Sequence, residues 1–253
     1  MPERMEPIAF RLRRAGFAAV AFATALSPSA YDPAARRVAA RQIYFSAWQI
    51  LPGFTLACAA LSWVLIRIVL SSSNAYGLSA YALELTVRVL VLELIPLFAA
   101  LFVGLRSGAA INTEVVLMHI RGDLDAQQRA GRDPLRHELV PRVIGSAVAV
   151  MLLAYLNCAV ALLLTYYEMY GISPWGLAQF LRITGEVFAP VATIGLAIKT
   201  LLFGIAVAVI PITSALAVPR LQRMAAVAVL RGMVSLVLAL AVIEGSFLAI
   251  MYV

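Results

Sequence analysis

The sequence predicts an all-α, polytopic integral membrane protein: about five transmembrane helices preceded by N-terminal interfacial helices. Three observations carry this. Of 253 residues, 63% are hydrophobic and 13% charged, with mean hydropathy +0.93; a soluble domain carries roughly a quarter charged and about half apolar residues. The apolar residues form continuous runs of span length, not the roughly ten-residue alternating strands of a membrane barrel. The arginines gather in segments flanking those runs, as a topology signal does. That clustering explains the net charge of +7 better than nucleic-acid binding does.

Residues 1–47 read as interfacial and elbow helices, and residues 48–253 as one membrane domain. In the lead-in, Arg11, Arg13 and Arg14 precede the apolar run Ala15–Leu26. This predicts an amphipathic helix lying in the interface; the alternative is a secretory signal peptide. A second short helix, about Pro33–Ala47, leads into the membrane. The first span is expected at about 48–70, with a kink permitted by Pro52-Gly53 and Arg67 snorkelling to headgroups near its far end. Ser71–Ser79 is an uncharged turn.

The second span, about 83–118, lies in an apolar stretch too long for a straight crossing of a core roughly 30 Å thick. It must tilt, bend near Pro96 or project past the membrane. It carries Glu84, Arg88, Glu93, Arg106 and Glu114, and ionisable side chains at membrane depth signal function or pairing. Glu84 and Arg88 stand four apart, so a local ion pair is expected. Gly104 and Gly108 form a small-xxx-small pattern around Arg106 that permits close helix packing.

The segment 119–142 is polar. Asp123 is expected to cap a short helix, Leu124–Ala130, that ends before Pro134. The third span, about 143–166, leads to the aromatic belt of Tyr166, Tyr167, Tyr170 and Trp175. Ser173-Pro174 reads as the start of a surface helix reaching about Ile183. The fourth span, about 187–211, carries Lys199 in its middle, and the fifth, about 232–252, contains Glu244. Segments 1–47, 119–142 and 218–231 hold seven, five and three arginines, against one, Arg182, in the segments between. The N-terminus is therefore expected in the cytoplasm and the C-terminus in the periplasm.

Several chemistries are not written in this chain. The phosphate-cradling glycine before Lys199-Thr200 is Ile198, inside an apolar span. His119 and His137 have no companion ligands, so neither a metal nor another cofactor is expected. Cys58 and Cys158 lie in apolar runs and read as small core residues. No hydrolase motif is present, and the chain reads as a non-enzyme.

The stretch Glu93–Arg142 resembles the MlaE/YrbE permease family, the membrane subunits of ABC transporters that work with MCE proteins on lipids. The family's L-R-E-L-G-P element is similar to Leu92, Glu93, Leu94, Ile95, Pro96, and its G-R-x-G-x-A element to Leu105–Ala110. Glu114, Met118, Asp125-Ala126, Asp133-Pro134 and Pro141-Arg142 follow in register. Lys199 and Phe203 match a later K-x-x-x-F pattern. The chain departs from the family at Leu92, Ile95, Gly122-Asp123 and Arg220–Arg231.

The resemblance implies a permease domain, 48–253, moving phospholipid or another hydrophobic lipid between a bacterial inner membrane and an MCE partner. ATP hydrolysis falls to a separate cytoplasmic ATPase, and a second permease chain completes the membrane unit. Glu93 and Pro96 would border the lipid path, with Arg88, one turn before Leu92, supplying the positive charge the family places beside Glu93. Gly104, Arg106 and Gly108 would serve helix packing. Arg121, Asp123, Leu124, Asp125, Arg129, Arg132 and Asp133 would form the coupling segment. The other readings are a non-transporting membrane scaffold, and an ion-coupled carrier using Glu93, Glu114 and Glu244.

Overall fold

Apolar runs of this length leave the backbone no polar partner in a bilayer except itself, so helices are the expected outcome. In the computed structural model, which describes residues 33–131, 133–217 and 225–252, helices joined by short turns account for the architecture, and no strand occurs among the described residues. The helix expected over Ala15–Leu26, together with Arg132, Arg220 and Arg223, lies outside them.

In chain order the helices are α1 (Pro33–Ile43), α2 (Leu51–Ala75) and α3 (Tyr81–Arg121). Then come α4 (Asp123–Arg129), α5 (Val140–Tyr170), α6 (Leu177–Val187), α7 (Pro190–Leu216) and α8 (Ala225–Tyr252). Five stretches are long and apolar enough to cross a membrane: Arg37–Ala75, Tyr81–Arg121, Val140–Tyr170, Pro190–Leu216 and Val229–Met251. Each outruns the apolar core expected from sequence. Hydropathy marks where lipid is, whereas backbone hydrogen bonding continues into the interface until a turn residue stops it.

Proline acts differently at its several positions. Pro52 stands in the first turn of α2, where its missing N–H leaves no bond unmade, directly after the turn at Gln49–Ile50 that interrupts the first span. Pro211 was expected to end the fourth span, but α7 continues through it to Leu216. At Pro96, α3 neither breaks nor ends. The five-residue register of a π-helix occupies Thr86–Leu94 just before it, relieving the clash between a proline ring and the carbonyl four residues back. A second π-helical stretch, Gly104–Gly108, follows.

The hub of the bundle is α5 against α7, with α7 packing also on α3 and α8. The close approach of α5 and α7 is made at Gly204, where an added Cβ would strike the backbone of Ala147. Gly104 and Gly108 do face a packing surface, within this chain: a Cβ on Gly104 would sit 2.8 Å from Leu236 of α8, and one on Gly108 3.1 Å from the Val207 carbonyl of α7. Most enclosed is α3, with 61% of its most apolar window buried, against 17% for α8. So α3 is the axis of the bundle, while α8 turns most of its surface outward.

Candidate functional site

The axial helix brings charge into the apolar interior. Glu93 belongs to the π-helical stretch of α3, Lys199 to α7 and Glu244 to α8, and all three are buried. The Lys199 ammonium donates to Glu93 Oε2 and lies 3.4 Å from Glu244 Oε2. Three helices far apart in sequence are thereby tied at one point. The site lies at membrane depth: Lys199 is the tenth residue of α7, about 13 Å along it. One turn further along α7, Phe203 is fully enclosed. Next to Lys199, the Thr200 hydroxyl is 3.2 Å from the Tyr155 hydroxyl of α5. One ammonium facing two carboxylates, all three buried, makes a polar knot whose members depend on one another.

The backbone beside this knot carries its own polar device. The Ile95 N–H reaches back five residues to the Leu90 carbonyl. The same step from residue 96 would reach Val91, but Pro96 has no N–H to give. The Cys158 thiol of α5 takes that place, donating to the Val91 carbonyl at 3.2 Å. Cys58 and Cys158 are free and buried, as expected of core residues, and Cys158 also satisfies a carbonyl that proline leaves without a donor.

Two further ionic clusters sit nearer the ends of the bundle. At the aromatic end, Arg67 of α2 pairs with Glu168 of α5 at 2.8 Å, and the Trp63 indole N–H donates to the same carboxylate at 2.6 Å. Arg67, expected to snorkel to headgroups, instead ties α2 to α5. At the arginine-rich end, Arg142 Nη2 lies 3.0 Å from Glu114 and 3.2 Å from Glu138. Arg142 is buried, while the Glu114 side chain is 61% exposed.

The expected residues fall into distinct places. Arg88 pairs with Glu84 at 2.9 Å, as their spacing predicts, and the cation beside Glu93 is Lys199. The expected partnership of Arg88 with Glu93 is therefore corrected: spacing along one helix could not foresee a lysine arriving from another. Pro96 is buried just beyond Glu93. Arg106 is exposed on the face away from Gly104 and Gly108, donating to Gln49 at 3.3 Å. Of the three carboxylates the ion-coupled reading names, Glu93 and Glu244 meet at Lys199, while Glu114 lies 21 residues from Glu93 on α3, about 30 Å away.

The polar segment folds as a helix that buries none of its residues against the chain. Gly122, at φ +77°, ends α3 and stands at the start of α4, and Asp123, expected at that position, is the first residue inside the helix. The left-handed glycine turns the chain from one helix into the next, with no side chain to cap it. Leu124 and Asp125 are half-buried, and Arg121, Asp123, Arg129 and Asp133 are exposed. The Arg129 guanidinium donates to the Asp125 carbonyl at 3.3 Å, and the Asp133 carboxylate accepts from the Leu135 N–H at 3.0 Å. Sequence reasoning missed Lys199, Glu244 and Arg142 as partners. The signal for the first two was an ionisable residue inside an apolar span.

Comparisons with known proteins agree on what this arrangement is similar to. The family model described as "Permease MlaE" matches residues 39–250. A probable ABC transporter permease protein of Rickettsia conorii is 25% identical over 175 residues, 67% of this chain and 66% of that protein. A probable ABC transporter permease protein of Rickettsia prowazekii matches at 25% over the same shares, and one of Rickettsia felis at 24%. The chain thus matches these relatives over just under two thirds of their length.

Proposed function

The chain belongs to the MlaE permease family, and we propose that it is the permease subunit of an ABC transporter moving phospholipid or another hydrophobic lipid. The exchange runs between a bacterial inner membrane and a periplasmic MCE-domain partner. ATP hydrolysis resides on a separate cytoplasmic ATPase, and a second permease chain, identical or not, completes the membrane unit. The N-terminus lies in the cytoplasm and the C-terminus in the periplasm, as the arginine asymmetry favours.

One observation carries the reading. The single helix α3 runs from the buried Glu93–Lys199–Glu244 knot to Arg121, where Gly122 hands it to the exposed helix α4. A helix of 41 residues spans roughly 60 Å, so motion passed from α4 through Gly122 is carried to membrane depth along one continuous helix. In this reading α4, with Arg121, Asp123, Leu124, Asp125, Arg129, Arg132 and Asp133, seats in the ATPase. In the same reading Glu93, Pro96 and Arg88 border the lipid path. Movement of α3 repacks Gly104 and Gly108 against α7 and α8, which changes the cavity the lipid occupies.

The test is purification of the chain from its membrane in mild detergent, with mass spectrometry of bound proteins and lipids. Reconstitution with any captured ATPase follows, with lipid movement measured with and without ATP. A captured ATPase, an MCE-domain protein and ATP-dependent lipid movement are expected. Capture of the ATPase with no ATP-dependent movement of any lipid class would instead identify a scaffold. Its warrant is the set of departures from the family at Leu92, Ile95 and Gly122-Asp123.

A further inference from the structure

A cavity of about 360 Å³ opens at the arginine-rich end of the bundle, between α1, α3 and α5. We propose that it binds the headgroup of an aminophospholipid, with the phosphate against Arg41 and the primary ammonium against Glu114 and Glu138. The volume falls within the range of small-molecule sites. Its lining holds two bases, Arg41 and Arg142, and two acids, Glu114 and Glu138. A site balanced in this way suits a zwitterion better than an anion.

The two bases are not equivalent. Arg142 is buried and already committed to both carboxylates. Arg41 is exposed, rests its guanidinium on the Phe45 ring at 5.6 Å, and pairs with no carboxylate among the described residues. It is therefore the cation available to a phosphate. Glu114, 61% exposed at its side chain, keeps acceptor capacity that a single Arg142 nitrogen does not exhaust, because a carboxylate offers about four lone-pair sites. A primary ammonium brings three donors to such a site, and a trimethylated one brings none.

The walls are built rather than incidental. An added Cβ on Gly145 of α5 would come within 2.7 Å of Gln42, so α1 is seated directly on α5 at the cavity's edge. Gln42 in turn donates to the buried Ser46 hydroxyl at 2.7 Å. Phe45, in the cavity lining, is an exposed apolar side chain, which gives acyl chains a surface to follow. The site requires only that the chain sits in a bilayer, and it stands whether or not the chain transports lipid.

Native mass spectrometry of the full chain tests it, with protein delipidated in detergent and offered phosphatidylethanolamine, phosphatidylcholine or phosphatidylglycerol of matched chains. The ethanolamine lipid is expected to be retained about tenfold better than the choline lipid, the scale of one charge-assisted hydrogen bond. Glu114→Gln should lower it to the choline level, and Arg41→Ala should weaken both. Both positions are exposed, and an unchanged melting temperature establishes that the variants are folded. The proposal is overturned by equal retention of the two lipids, or by an ethanolamine preference that survives Glu114→Gln. Stronger retention of phosphatidylglycerol overturns it too, in favour of a plain anion site. Glycerophosphoethanolamine binding as tightly as the lipid would overturn the lipid as occupant. Loss of ATP-driven lipid movement is a separate measurement, so failure of the transport reading is told apart from failure here.

Discussion

Lys199 and Arg142 face the same problem at two depths. Each is one base held between two carboxylates, and each is itself buried. Around Lys199 the carboxylates are enclosed as well, 8% and 10% exposed at their side chains, and they arrive from two other helices. Around Arg142 they are 61% and 26% exposed, and Glu138 stands only four residues away along the chain. Water can replace a lost partner at Arg142 but not at Lys199. The bases are alike in one respect: a single Arg142 nitrogen, Nη2, reaches both carboxylates, as the Lys199 ammonium does. The inner knot therefore governs whether the bundle assembles, and the outer cluster tunes how α3 and α5 meet.

Breaking the inner knot has the largest expected effect. Lys199→Met leaves two carboxylates facing each other in an apolar interior, and removing one partner of a buried pair costs about 3–5 kcal/mol. A large drop in melting temperature in detergent is expected. The triple variant Lys199→Met, Glu93→Gln, Glu244→Gln should regain most of it, since neutral groups replace the whole set. A single variant melting like the parent protein would remove the knot from the account of the fold.

The corresponding change at the other cluster should be smaller. Arg142→Lys keeps the charge but replaces the planar guanidinium whose Nη2 reaches both carboxylates, and with Glu114 largely exposed, solvent screening limits the loss to about 1 kcal/mol. A fall in stability equal to that of Lys199→Met would erase the distinction between the two depths. Smaller or similar is the effect of Cys158→Ala, which strips the Val91 carbonyl of its donor at a cost of about 1 kcal/mol. Cys158→Ser should restore part of that loss, because a hydroxyl donates where a methyl cannot. Equal stabilities for the alanine and serine variants would count against the thiol as the replacement for the missing Pro96 N–H.

The same contrast marks what the sequence made legible. The apolar runs fold as five helices long and apolar enough to cross a membrane, and the i,i+4 rule located the Glu84–Arg88 pair. Punctuation placed α4 between Gly122 and Gly131, and Ser173 accepts from the Trp175 N–H as the expected start of the surface helix. These are local events, fixed by neighbours a few residues apart. The knot joins residues 106 and 45 positions apart, and nothing in the spacing of one helix says which face of another it meets. Local reasoning therefore assigned Arg88 to Glu93. Pro211 misled for a related reason: proline ends helices on average, but tertiary packing against α3 holds α7 together past it.

The smallest effect on stability is expected where the proposed function has its largest stake. Helix α4 buries none of its residues within the chain, so Asp123→Arg and Arg129→Glu, both at exposed positions, should each shift stability by no more than about 0.5 kcal/mol. The two together reverse the charge pattern of the exposed face without touching the bundle core. In the proposed transporter that face meets the ATPase, and reversed charges across an interface cost far more than exposed charges cost a fold. Co-purification of the ATPase should therefore fall sharply while the melting temperature of the isolated chain holds. This separates the two ends of α3 by experiment: Lys199→Met should damage the fold first, and the α4 reversal the partnership alone. Unchanged co-purification with an unchanged melting temperature would leave α4 a solvated connector and move the docking surface elsewhere.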